Sequence, residues 1–400
     1  MARPRIGLAL AGGGPLGAIY EIGALCALDE ALQGLDLNAL DGYVGVSAGA
    51  FIAAGLANGI APRELCRSFI EDGAAGDDLF DASLLMRPAW SEYARRLAAL
   101  PALLAQAGVR CALDRRSLLS ALEPLGRALP TGIFSGAAME AQLRRTFARP
   151  GRSNDFRRLA RKLVVVATDL DSGAAARFGT PGLDHVPISQ AVLASAALPG
   201  LYPPVEIEGR SYVDGALKKT LHARLLLDDG VDLLLCLNPL VPFDSAGEGI
   251  PRLVDGGLPL VLSQTFRALI HSRMELGMGG YARSHPDVDI LLFEPDQQDP
   301  QMFLANTFSV AQRRVVAEHA YQQTRAMLRS RRGTLGARLA RHGVTLDDAV
   351  LDDAHRHLVE PRPPRSRAVR ALRRLDEVLD DLEHSLASLA PSPARGRGLG

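Results

Sequence analysis

Gly45-Val46-Ser47-Ala48-Gly49 sets one serine between two glycines, with an apolar run before it and small residues after it. A serine hydroxyl attacks an acyl carbonyl only when it is presented at a sharp turn, backed by a base and faced by oxyanion donors. The pentapeptide meets the first condition. Gly45 and Gly49 let the chain turn tightly, and the strand-then-helix context exposes Ser47 at the turn. A helix starting at Ala48 would also put the hydroxyl at the positive end of the helix dipole. The plainer alternative is a serine that caps a helix in a glycine-rich turn.

Gly12-Gly13-Gly14-Pro15-Leu16-Gly17 is the second feature. Its glycines fit the G-x-G-x-x-G pattern of phosphate-cradling loops. A dinucleotide site also wants an acid about 20 residues on, at the end of a second strand. Asp36 falls near that distance but sits in a loop ahead of the next strand, and that strand ends at Ser47. Beside a nucleophilic serine, the loop of Gly12, Gly13 and Gly14 reads better as an oxyanion hole, with the N–H groups of Gly13 and Gly14 aimed at the substrate oxygen.

The third feature is Tyr212-Val213-Asp214-Gly215-Ala216. An aspartate before a glycine is ordinary turn chemistry. Read functionally, it is a carboxylate carried across the sheet to Ser47. A conventional Ser-His-Asp esterase would need a histidine after the acid, and His271, His285 and His319 satisfy that order. His222 opens a helix and reads as a surface or capping histidine. His185, His271, His285 and His319 lack metal-ligand spacing, so no metal and no cofactor is expected. Asp169 and Asp171 read as turn formers, and Ser195 as a packing or capping residue.

Such residues need a scaffold. Apolar runs at Arg5–Ala11, Tyr43–Val46, Leu163–Ala167, Leu233–Leu237 and Ile290–Phe293 predict buried strands. Helical patterns alternate with them, from the glycine loop to Leu32, Ala48 to Asn58, Ile188 to Ala197, Leu258 to Gly277 and Thr307 to Ser330. This alternation predicts βαβ units and an α/β fold with a mainly parallel sheet. Residues 77–149 break the pattern. That stretch is rich in Leu, Ala and Arg and predicts a helical insertion broken at Pro88, Pro101, Pro124 and Pro130. It carries the one tryptophan, Trp90, and is either a lid over an apolar pocket or a helical packing layer.

The expected catalytic unit is residues 1–330. Residues 331–400 form a charged helical extension with a stiff Pro361-Arg362-Pro363-Pro364 linker. Leu372, Leu375, Leu379, Leu382, Leu386 and Leu389 make a short heptad seam over 372–389, fit to join two copies or to fold back on its own chain. The Pro/Arg/Gly tail reads as disordered.

Composition narrows the classes. Forty-five basic residues balance forty-five acidic ones, so no net field draws nucleic acid. The four cysteines, Cys26, Cys66, Cys111 and Cys236, form no CxxC pair, which fits a reducing compartment. The first apolar run spans about six residues, too short for a signal peptide, and nothing approaches the roughly 20 apolar residues of a bilayer span. A cytoplasmic location is expected, with contact to lipid surfaces left open.

Together these blocks resemble the patatin-like phospholipase family. The resemblance rests on Gly12 to Gly17, Gly45 to Gly49, Asp214-Gly215-Ala216 and Ala194-Ser195-Ala196-Ala197-Leu198-Pro199, with Thr168 to Gly173 and Leu129 to Phe134, in the family's order over about residues 5–330. It implies a three-layer fold and a hydrolase of lipid acyl esters (phospholipid, lysophospholipid or acylglycerol). It also implies a Ser47–Asp214 dyad in place of a triad, with an acyl-enzyme intermediate. One position departs from the family: its loop reads G-G-G-x-(Arg or Lys)-G, and here the basic position is Leu16. That favours a neutral ester. A conventional triad esterase and a non-catalytic interaction protein on the same fold are the rival readings.

Overall fold

The computed structural model describes residues 3–71, 82–113, 126–245, 252–304 and 310–359. Among the described residues ten strands are formed: β1 (Ile6–Leu10), β2 (Leu32–Gln33), β3 (Gly42–Val46), β4 (Lys162–Asp169), β5 (Ala175–Phe178), β6 (Val205–Ile207), β7 (Arg210–Val213), β8 (Leu233–Leu237), β9 (Asp289–Phe293) and β10 (Thr345–Leu346). The longer helices are α1 (Gly14–Ala31), α2 (Ala48–Ala57), α3 (Pro62–Phe69), α4 (Trp90–Leu113), α5 (Ala137–Phe147), α6 (Ile188–Ser195), α7 (Gly257–Ser284), α8 (Val310–Ser330) and α9 (Arg332–Ala340).

Eight strands make one mixed sheet, in the order β6-β7-β4-β3-β1-β8-β9, with β5 also pairing β4. The centre is parallel: β4 with β3, β3 with β1, β1 with β8, and β8 with β9. The β5, β6 and β7 pairings are antiparallel. The expected mostly parallel α/β sheet is therefore formed, with an antiparallel end.

Strand alternation explains the layers, because successive side chains point to opposite faces. Leu8, Leu10, Leu163, Val165, Leu233 and Leu235 join the core under α1, α2 and α6. Ala9, Val44, Val164, Val166, Leu234 and Cys236 join a second core with Met274 and Tyr281 of α7. Runs apolar on both faces are what a covered parallel sheet requires. Close helix packing also uses small residues. A Cβ on Gly23 would meet the Ala317 carbonyl oxygen at 2.6 Å, so glycine there lets α1 lie against α8.

The described part of the insertion is helical, in α4 and α5, with a 3-10 turn at Ala82–Met86. Pro101 departs from expectation, because it lies inside α4 rather than ending it. Leu97, whose carbonyl Pro101 deprives of a donor, is strongly exposed, so water can take over that acceptor. Pro124 lies outside the described residues.

The boundary expected at residue 330 also moves. One compact unit runs to Val359. The charges that suggested a detached extension hold it in place instead. The buried Arg325 guanidinium donates to the carbonyls of Val350 and Asp353 at 2.6 and 2.7 Å. Asp289 gathers Arg338, Arg341 and His342, and β10 pairs with β2. The leucine seam at 372–389 lies outside the described residues. Cys26, Cys66 and Cys236 are free and buried. Among the described residues no helix is long and apolar enough to cross a membrane.

Candidate functional site

β1 and β3 are neighbours in parallel register, so their C-terminal ends deliver the glycine loop and Ser47 side by side. A Cβ on Gly12 would stand 3.2 Å from the Ser47 Cβ and 3.0 Å from that of Ala216, which brings all three sequence blocks into contact. Gly13 packs on the Pro239 ring, where an added Cβ would lie at 2.6 Å, and the same ring stands 2.9 Å from a Cβ on Gly17. Gly14 has φ +60 and opens α1. The first turn of a helix leaves its N–H groups without intrahelical acceptors, and Gly14 stands at that position. Among the described residues no carbonyl accepts from the N–H groups of Gly12, Gly13 or Gly14.

Ser47 joins β3 to α2 with φ 53 and ψ −120. It is one of two described non-glycine residues at positive φ, a conformation that costs about 1–3 kcal/mol and persists only where the surroundings impose it. The flanking glycines relieve the crowding. A Cβ on Gly45 would sit 2.5 Å from the Ala50 Cα, and one on Gly49 would sit 2.5 Å from the Ala11 carbonyl oxygen.

The antiparallel return of β7 along β4 sets Val213 opposite Thr168, close to the end of β4. Gly215 then crosses directly over β4, where a Cβ would meet the Val166 carbonyl oxygen at 2.1 Å. That crossing carries Asp214 to the serine. Ser47 Oγ donates to Asp214 Oδ2 at 2.6 Å, and the Ala216 N–H donates to Oδ1 at 2.8 Å. Both residues are buried, at 5% and 3% exposure. Burial pushes the Asp214 carboxyl up to about 6, against the two hydrogen bonds that favour its ionised form. No cation is among the causes of the shift.

Ser195 does more than pack or cap. Its Oγ accepts the Ser47 N–H at 2.7 Å and donates to the Val166 carbonyl at 2.6 Å. The hydroxyl thus ties the strained serine to β4. Its neighbour Ala197 accepts the Asp214 N–H at 3.0 Å, so the small-residue run at the end of α6 supports both members of the pair.

The histidines lie elsewhere. His271 faces Glu275 and Glu294, His285 faces Asp228, and His319 faces Asp299. None bonds to Ser47 or Asp214. His222 is half-buried and is more than the expected surface or capping residue: among the described residues its Nε2 is closed off from solvent with no hydrogen-bond partner. Burial and the nearby Lys219, Arg177 and Lys218 charges push its ring down to about 3. Asp169 is the expected turn former, accepting the N–H groups of Asp171 and Ser172 at 3.0 and 2.9 Å. Leu16 packs its half-buried side chain against the core beneath the glycine loop. Among the described residues no group of three or more His, Cys, Asp or Glu is placed to hold a metal ion.

A family model described as patatin-like phospholipase matches residues 8–227, a span that contains the glycine loop, Ser47, Ser195 and Asp214. The chain belongs to the patatin-like phospholipase family. Membership places it among lipid acyl hydrolases, and its mostly parallel sheet with helices on both faces is the patatin fold. No curated protein sequence matches the chain.

Among solved structures, the chain is similar to VipD from Legionella pneumophila, with 17% identity over 82% of this chain and 67% of that one and a TM-score of 0.37. It is similar to the type III effector protein ExoU, with 17% identity over 82% of this chain and 53% of that one and a TM-score of 0.34. It is also similar to full-length ExoU of Pseudomonas aeruginosa in complex with SpcU, with 16% identity over 85% of this chain and 62% of that one and a TM-score of 0.25. The chain thus spans about half to two thirds of those proteins. The family assignment rests on the family model.

Proposed function

We propose that this patatin-like protein hydrolyses lipid acyl esters through a Ser47–Asp214 dyad. The observation that carries the reading is the buried 2.6 Å hydrogen bond from Ser47 Oγ to Asp214 Oδ2, made by a serine held in a strained turn. Ser47 Oγ attacks the ester carbonyl carbon as its proton passes to Oδ2. The carbonyl oxygen becomes an oxyanion facing the N–H groups of the Gly12 to Gly14 loop. Collapse of the tetrahedral intermediate returns the proton to the departing alkoxide and leaves an acyl-Ser47 ester. Water then attacks that ester, giving up a proton to Asp214, and the fatty acid leaves as Ser47 regains its hydrogen.

Aspartate is ordinarily a poor base near neutral pH. Burial improves it here: with a pKa of about 6, Asp214 is mostly ionised at pH 7 yet binds a proton far better than a free carboxylate. The glycine-loop donors supply the remaining stabilisation where charge develops. The substrate we favour is an acyl ester with no charge beside the scissile bond. Leu16 is half-buried against the core, and the loop has no cation where the family carries Arg or Lys.

A fluorophosphonate should label the wild type stoichiometrically and fail to label Ser47→Ala. Ser47→Ala should lose at least about 10³-fold in kcat/KM on a short-chain ester and on acylglycerol. Full turnover by Ser47→Ala would end the proposal. A lipid-class screen of the wild type in which only anionic phospholipid is cleaved would end the neutral-ester part of it.

A further inference from the structure

The insertion presents an apolar stripe to solvent. Trp90, Leu97 and Leu104 are 72%, 68% and 53% exposed and are seven residues apart on α4. At 100° per residue, each falls within about 20° of the one before, so the three line one face. Leu129 and Ile133 in the loop after α4, and Leu201 beyond α6, are exposed as well.

Hydrogen bonds join these pieces into one surface. Tyr93 Oη and the Ala89 N–H donate to the Ile133 carbonyl at 2.6 and 3.0 Å. The Ile133 and Phe134 N–H groups donate to the carbonyls of Gly200 and Leu201 at 3.3 and 2.8 Å. That turn follows directly on Ala197, which holds the Asp214 N–H. The apolar stripe is therefore tied to the same end of the sheet as Ser47.

Charge says what covers it. Across residues 82–109 and 126–136 the sequence has four arginines (Arg87, Arg95, Arg96 and Arg127) against one acid, Glu92. Glu92 is buried and held by Arg95, Arg96 and Thr131, so it adds no exposed negative charge. By the same 100° spacing Arg95 and Arg96 lie on α4 away from the stripe, and a segment with this excess of positive charge repels a second copy of itself. An exposed Trp and leucines on a segment of positive charge are what an interfacial helix uses on anionic headgroups: the ring and leucines enter the acyl boundary while the guanidinium groups stay at headgroup level.

We propose that the Trp90–Leu97–Leu104 face of α4, with Leu129, Ile133 and Leu201, is the surface by which the protein lies on an anionic bilayer. Its use in catalysis rests on the reading of Ser47 as a lipid-ester nucleophile, because the face is tied through Ile133, Gly200 and Ala197 to the backbone that carries Asp214.

Trp90 is the chain's one tryptophan, so tryptophan fluorescence excited at the red edge, past tyrosine absorption, reports on this face alone. With phosphatidylglycerol–phosphatidylcholine vesicles, Trp90 emission should shift to the blue and be quenched by brominated acyl chains as the protein floats with the lipid. Leu97→Ser/Leu104→Ser, with its circular dichroism unchanged, should lose vesicle affinity and vesicle hydrolysis by about tenfold or more while cleaving a water-soluble short-chain ester at the wild-type rate. Ser47→Ala should bind vesicles like the wild type, so failure of the dyad reading and failure of docking give different results. Flotation without a Trp90 shift, binding unmoved by the double variant, equal binding to pure phosphatidylcholine, or a Trp90 shift produced by protein concentration alone would each overturn the proposal.

Discussion

Asp214 and His222 stand at the two ends of one loop, eight residues apart, and burial acts on both. It pushes the aspartate up to about 6 and the histidine down to about 3. In each case it disfavours the charged form, and the chemical result is opposite. The acid becomes a base with useful proton affinity near neutrality. The imidazole loses the protonated state that a triad histidine must reach. Partners complete the contrast: Asp214 has a serine hydroxyl at 2.6 Å, whereas His222 Nε2 has no acceptor or donor. A histidine after an aspartate invites a triad by order alone, and here environment assigns the roles the other way.

The largest expected effect tests the Asp214 end. Asp214→Asn should lower kcat/KM by at least about 10³-fold, because the amide cannot take the Ser47 proton. For the wild type, kcat/KM should rise tenfold per pH unit below about pH 6 and level off above it, as the carboxyl ionises. Stability should run the other way. The folded pKa is raised above the ordinary 3.8, so the stabilisation is full below about pH 4 and is lost as pH rises through 6. The loss is about 3 kcal/mol for a shift of this size. Urea titrations of Asp214→Asn and wild type at pH 4 and pH 8 should show the variant gaining by about that amount at the higher pH. A pH–rate profile flat from 5 to 8 would break the comparison.

A smaller effect separates position from basicity. Ser195→Ala removes the hydroxyl that links the Ser47 N–H to the Val166 carbonyl. Both groups would be left buried without that partner, at a cost of about 1–3 kcal/mol. We expect kcat to fall roughly 10- to 100-fold with KM little changed, because the strained turn loosens while the substrate contacts stay. The midpoint of the pH profile should remain near 6, since Asp214 keeps its surroundings. A shifted midpoint at unchanged kcat would make Ser195 part of the Asp214 environment and not a positioning residue.

These residues were not equally legible from sequence. Ser47 and the glycine loop showed plainly, because a strained turn and close backbone approach leave only glycine or small residues beside them. Asp214 showed through Gly215, whose missing side chain is what lets the chain cross over Val166. Ser195 did not show, because its two partners lie 148 and 29 residues away and nothing in Ala194-Ser195-Ala196 announces them. Pro101 misled because proline ends helices where its lost hydrogen bond cannot be replaced, and α4 is solvent-exposed at that turn. The boundary at 330 misled because charge clusters usually mean a solvated segment. Asp289 and the carbonyls around Arg325 turn this one into packing. The strand order was the least visible, since β8 reaches the side of β1 only through a crossover.

The smallest expected effect is at His222, and it is the sharpest test of the contrast. His222→Gln should leave kcat/KM within about threefold of wild type from pH 5 to 8, because the ring's Nε2 makes no hydrogen bond to Ser47 or Asp214 and the ring carries no charge in that range. Its signature should appear in acid unfolding. A histidine whose folded pKa lies below its ordinary 6.5 stays neutral in the folded chain while the unfolded chain takes up a proton, so stability is lost as pH falls from about 6.5 toward 3. Glutamine has no such proton to take up. The variant should therefore unfold at a lower pH than the wild type, even if it is no more stable at pH 8. Lys219→Met should act in the same direction by a smaller margin, since removing that charge lets the His222 titration move upward. If His222→Gln instead matched Asp214→Asn in lost activity, the loop would hold a base at each end and the division of roles by burial would fail.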